Sequence, residues 1–190
     1  MTFGCDDLEE LAALVAGAWR RAADHDWSAP AGVLEWTCTR TADHAVDTVL
    51  APAFFLASRR RDDYPPFAPT SVGPDPRPGD LADGVETAAR ILAAVVRTTA
   101  PDVRAVIWRR PRVETRPPRD FVPRGALELI VHGHDVCTGL GVPFAPPAPL
   151  CERLRRHTGE WPHWRSSGWS PLTLAGDPWA DLLRAAGRAG

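Results

Sequence analysis

At 190 residues, 44% hydrophobic and 24% charged, the chain has the size and mix of one globular domain with a single covered core. A formal net charge of -2 and a pI near 6.3 supply no basic stripe for a phosphate backbone, so nucleic acid is excluded as an expected partner. Every basic residue is Arg, and Lys, Asn and Gln are all missing, which removes Schiff-base, phosphate-loop and kinase-type lysine chemistry together.

Met1 to Glu10 carries acids where a secretory leader carries bases, and no apolar run approaches the roughly 20 residues of a membrane span. The expectation is a cytoplasmic domain without a membrane partner. Cys5, Cys38, Cys137 and Cys151 form no C-x-x-C pair, which predicts reduced, buried thiols rather than disulfides or a thiolate cluster.

In chain order, the spacing of Leu8, Leu11, Val15, Ala18 and Trp19 predicts a helix from about Asp7 to Ala23, with Asp6 as its cap and Glu9 three residues on. A Pro and Gly turn over Ser28 to Gly32 follows, and Trp36 leads into a second helix from about Thr39 to Ser58, kinked at Pro52 and closed by Arg59, Arg60 and Arg61. Six prolines between Tyr64 and Gly79 exclude helix there and predict an exposed linker. A third helix starts after Asp80 as cap and carries Leu81, Val85, Ala88, Leu92 and Val95 on one stripe. Val103 to Trp108 and Arg112 to Thr115 read as short strands or loop. A fourth helix spans about Arg124 to Leu140, stopped by Gly139, Gly141 and Pro143. Shorter helices are expected near Leu150 to Thr158 and after Asp177 with Pro178 in the first turn. One domain over 1–190, without repeats, accounts for all of this. The four C-terminal tryptophans, Trp161, Trp164, Trp169 and Trp179, are expected to cap the core.

Chemistry concentrates in the fourth helix. At about 100° per residue Glu128 and His132 leave one face roughly one turn apart, so a carboxylate and an imidazole can serve as adjacent ligands of one ion. Asp135 falls on nearly the same face and His134 beside it, both candidates to support the ligands. Arg124 lies one turn before Glu128 and is a candidate to attract a substrate or thiol carboxylate. The His132-x-His134 pair also suits metal-dependent amidohydrolases, but their barrels need about 250 residues, more than this chain has. A helical wheel sets His44 nearly opposite the stripe of Ala42, Val46, Val49, Leu50 and Ala53, so His44 joins a site only if the second helix packs on two sides.

The segment Trp36 to Asp47 resembles the second-helix motif of the DinB-like superfamily, specifically the N-terminal domain of mycothiol-dependent maleylpyruvate isomerases. His44 stands where that family carries its first metal-binding histidine, and Glu128, His132, Gly133, Asp135 and Gly141 match its later ligand helix. The resemblance implies an all-α fold, a four-helix bundle with up-down-down-up connections and extra short C-terminal helices. It implies a divalent metal held by His44, Glu128 and His132, zinc first and nickel, manganese or iron after it. It further implies a cosubstrate thiol, mycothiol or another small one, added or transferred to a small electrophile by a monomer or homodimer. Nothing in the chain corresponds to the C-terminal domain that accompanies the isomerase, and His134 replaces a residue that is often aromatic. Two other readings stand beside the thiol enzyme: a metal hydrolase activating water, and a non-catalytic bundle binding a small molecule.

Overall fold

The computed structural model describes residues 2–66, 71–110, 112–165, 169–174 and 176–188. Among them the regular structure is helical apart from one small sheet: α1 over Cys5–Arg21, α2 over Cys38–Ser58, α3 over Pro78–Thr98, α4 over Phe121–Gly139, α5 over Ala148–Thr158 and α6 over Pro178–Ala185. β1 (Ala105–Trp108) and β2 (Glu114–Arg116) pair antiparallel, with a register break between Val106 and Trp108. Short 3-10 turns lie at Pro118–Asp120 and Pro162–Arg165.

The helices fall where the apolar spacing puts them, but three starts differ. α1 begins at Cys5, because the Gly4 N–H donates to Asp7 Oδ2 at 2.8 Å; Asp6 and Asp7 both sit inside the first turn, facing the positive end of the helix dipole. α3 begins at Pro78, so Asp80 is its third residue rather than its cap and accepts the Arg77 N–H at 3.0 Å. α4 begins at Phe121 with Pro123 in its first turn, where a missing N–H costs no intrahelical bond. The expected Asp177 cap of α6 is present and accepts the Ala180 N–H at 2.8 Å. Of the proline-rich stretch, residues 67–70 lie outside the described residues; Val72 is pinned to α2 through its N–H to Asp43 Oδ1 at 2.7 Å.

The four long helices share one continuous core: α1 packs on α3 and α4, α2 packs on α3 and α4, and α3 touches α4. Leu8, Leu11, Val15 and Trp19 of α1 belong to that core together with Val85, Leu92 and Ile130, each apolar side chain contributing about 1.5–3 kcal/mol on removal from water. Two glycines let α4 approach its neighbours closely. A Cβ at Gly133 would stand 2.9 Å from Val15 Cγ2, and one at Gly139 would stand 2.3 Å from the Pro30 carbonyl oxygen and 2.7 Å from Cys38 Sγ. The loop between α1 and α2 is thereby seated against the end of α4.

Trp161 and Trp164 are buried against the core as expected, and Trp169 and Trp179 are partly buried on it. All four cysteines are free thiols, three buried and Cys5 half-buried. Among the described residues no helix is long and apolar enough to cross a membrane.

Candidate metal centre

Along α4 the side chains of Glu128 and His132 meet one turn apart, with His132 Nε2 3.6 Å from Glu128 Oε2. α2 lies against α4 and brings in His44, whose ring meets that of His132 edge to face with centroids 5.1 Å apart. The buried face of α2 keeps Ala42, Val46, Val49 and Ala53 of the expected stripe but is wider on one side. Leu50 is only half-buried, while Thr41, Ala45 and Pro52 are buried, and this rotates the packed face toward His44. His44 therefore sits half-buried at the border of that face. Its other side is covered by Trp36, ring centroids 5.1 Å apart, and Arg40 lies over the same indole at 4.3 Å.

A chain of contacts orients His132. Its Nδ1 stands 3.2 Å from Asp135 Oδ2, and Asp135 is fully buried under a two-pronged contact from Arg188, Nε to Oδ1 at 3.1 Å and Nη2 to Oδ2 at 2.8 Å. The carboxylate accepts from Nδ1–H, which turns Nε2 toward Glu128 and His44; this is how a carboxylate behind a histidine fixes the nitrogen available to a ligand. Gly32 lies against Asp135 at φ +55°, a conformation that favours glycine, and so lets the α1–α2 loop turn onto that residue. His134, also held as a supporting candidate, turns elsewhere: its ring meets Trp179 at 5.5 Å. Arg124, the candidate anion-binding residue, donates to Glu128 Oε1 at 2.5 Å.

These neighbours set the charges. Burial opposes ionisation of Glu128, but Arg124 and His132 outweigh it and hold the carboxyl well below the usual carboxylate range. Burial likewise disfavours a charged His132, yet its hydrogen bonds to the Asp135 and Glu128 carboxylates prevail and push it up to about 9. Burial pushes His44 below its ordinary value and repulsion from His132 adds to this, so His44 offers a neutral imidazole lone pair at neutral pH. Burial also raises Asp135, and its bonds to His132 and Arg188 more than reverse that.

A cleft of about 390 Å³ opens over the two imidazoles, walled by Val33, Leu34, Glu35 and Trp36 from the α1–α2 loop. On the far side of His44 a second notch of about 270 Å³ is lined by Arg40, Asp43, Asp47 and Ser71. Two imidazoles and a carboxylate are the donor types of an open zinc-like site. The three side chains are neighbours, but as they lie Glu128 Oε1 is turned to Arg124. Among the described residues no group of three or more His, Cys, Asp or Glu is arranged to hold a metal ion.

No family model, curated protein or solved structure matches the chain. The structure thus brings His44, Glu128, His132 and Asp135 together and sets His134 apart. Sequence reasoning did not find the Arg188 clamp, because nothing local marks an ion pair between a C-terminal arginine and a mid-chain aspartate. Nor did it find the cleft wall over Val33 to Glu35, whose pattern is that of any loop.

Proposed function

We propose that this chain is a metal-dependent, thiol-activating enzyme related to the DinB-like, mycothiol-dependent maleylpyruvate isomerases, its four long helices forming the up-down-down-up bundle of that family. His44, Glu128 and His132 hold the divalent ion, zinc first among the candidates. The observation that carries this reading is that α2 and α4 bring the imidazoles of His44 and His132 together in a small-molecule-sized cleft, with the Glu128 carboxylate beside His132.

A bound ion supplies a Lewis acid with positions open to a small thiol, lowering the pKa of that thiol toward neutrality. The chain's own residues do the rest. Asp135, fixed by Arg188, holds the His132 ring with Nε2 facing Glu128. His44 contributes a lone pair without first losing a proton, whereas His132 must release one. Leu34 and Trp36 form an apolar wall that takes the non-reacting part of a small electrophile and limits water in the cleft. The zinc-loaded protein is incubated with an epoxide or activated alkene in the presence and absence of mycothiol. Thiol adduct formed at a rate proportional to protein is the expected result; hydrolysis product alone, independent of thiol, assigns the site to water activation instead.

One observation favours a different class. Glu128 is already neutralised by Arg124, and His132 by Asp135, so the cluster satisfies its own charges and would serve a non-catalytic binding pocket equally. Ligand binding in the cleft without metal and without turnover of any electrophile would support that second reading.

A further inference from the structure

The cleft over the two imidazoles carries a charge that the thiol chemistry does not use. Besides His44 and His132, its lining consists of the apolar Val33, Leu34 and Trp36 and one carboxylate, Glu35, all from the α1–α2 loop. Glu35 is exposed and, among the described residues, has no hydrogen-bond or ion-pair partner.

The neighbouring cations are turned to other partners. Arg124, whose place one turn before Glu128 suggests a receptor for a substrate carboxylate, donates to Glu128 Oε1 at 2.5 Å. Arg188 grips Asp135, and His132 stands between Asp135 Oδ2 at 3.2 Å and Glu128 Oε2 at 3.6 Å. Arg40 lies over the Trp36 indole at 4.3 Å and lines the notch beyond His44 rather than the cleft. A carboxylate entering the cleft therefore gives up water, meets no unpaired cation among the described lining residues, and approaches a like charge between walls that exclude part of the solvent. An uncharged group avoids all three costs, and an amine gains from Glu35.

We propose that Glu35 determines the specificity of the cleft by sign of charge: electrophiles whose non-reacting end is uncharged or bears an amine are taken, and those that bear a carboxylate are rejected. This names the substrate class of the thiol-activating site and rests on that reading for the reaction, while the binding step is tested without metal.

The full-length protein, kept in EDTA so that no ligand binds through an ion, is titrated with 4-ethylacetophenone, 4-(aminomethyl)acetophenone and 4-acetylbenzoate. The three match in size and in the ketone that stands in for the electrophilic end, and differ in the charge of the far group. Binding is followed at the His44 imidazole by long-range proton–nitrogen correlation. The expected order is amine, then ethyl, then carboxylate, with the carboxylate about tenfold weaker than the ethyl compound. The gap narrows as salt is raised, as for an exposed charge. Glu35→Gln, at an exposed loop position, brings the three ligands within about threefold of one another. Asp102→Asn, the same change of net charge in the turn after α3, leaves the order as it is. A carboxylate that binds as tightly as the ethyl compound, an order unchanged in Glu35→Gln, or no saturable shift at His44 with any of the three overturns the proposal. The binding order stands or falls whatever the thiol-adduct assay returns, so a failed selectivity and a failed reaction are told apart.

Discussion

The imidazoles of His44 and His132 meet edge to face with centroids 5.1 Å apart, although they belong to helices separated in the chain by all of α3 and the small sheet. The contact is made possible by the close packing of α2 on α4 and is framed by Trp36 on one side and Asp135 on the other.

Asp135 fixes which nitrogen of His132 faces the cluster. Asp135→Asn keeps the shape but replaces a charged acceptor by a neutral amide, and it leaves Arg188 without its carboxylate. Zinc affinity, measured by competition with a chromophoric chelator, should fall about 10–100-fold, the usual effect of losing the group behind a ligating histidine. An unchanged affinity would remove Asp135 from the scheme.

Arg124 and Glu128 form a largely covered ion pair, 17% and 14% exposed. Arg124→Met retains the bulk and strands the carboxylate, which should lower unfolding stability in urea by about 3 kcal/mol. Adding zinc to this variant should recover more stability than it adds to the wild type, because the ion then supplies the missing positive charge. The double variant Arg124→Met, Glu128→Gln recovers stability without metal and abolishes the zinc effect.

Gly139 has no room for a side chain. The Cβ of Gly139→Ala would collide with the Pro30 carbonyl and Cys38 Sγ, so either α4 or the α1–α2 loop must move. A loss of about 1–3 kcal/mol in urea unfolding is expected. Since the same loop walls the cleft through Val33 to Trp36, ligand affinity there should fall as well. A variant as stable as the wild type would show that the loop is not seated as described.

Helix existence was legible because apolar residues recur at helical spacing on every long element, and the Asp177–Pro178 start of α6 carries its own signal. Boundaries were less so. Asp6 and Asp80 look like caps but serve inside their first turns, and α4 begins at Phe121, ahead of the expected Arg124. Glu128 and His132 share a face by arithmetic alone. His44 was harder, since its place depends on the tilt of α2 against two neighbours, and burial of Thr41 and Pro52 rather than Leu50 decides it. The Arg188 contact with Asp135 depends on chain segments meeting in space, which no periodicity encodes.

Acid stability has a named contributor outside the candidate site. Burial raises the Asp181 carboxyl, but hydrogen bonds from Arg184, Arg155 and Thr173 reverse this and leave it below its ordinary value of 3.8. A folded value below the unfolded one means that the unfolded chain binds more protons between the two. The stabilisation is therefore full above pH about 4 and is lost as pH falls through the folded value. The difference in urea midpoint between pH 7 and pH 3 should shrink in Asp181→Asn; an identical pH profile would assign acid sensitivity to other groups.

The central claim, a divalent ion shared by α2 and α4, is tested most directly by metal content. The wild type, His44→Phe and His132→Ala are purified, dialysed against equal trace zinc, nickel, manganese and iron, and measured by plasma mass spectrometry alongside circular dichroism to confirm folding. The account predicts close to one ion per chain in the wild type and a loss of at least tenfold in each folded variant. A wild type without stoichiometric metal, or variants that retain it in full, would contradict it.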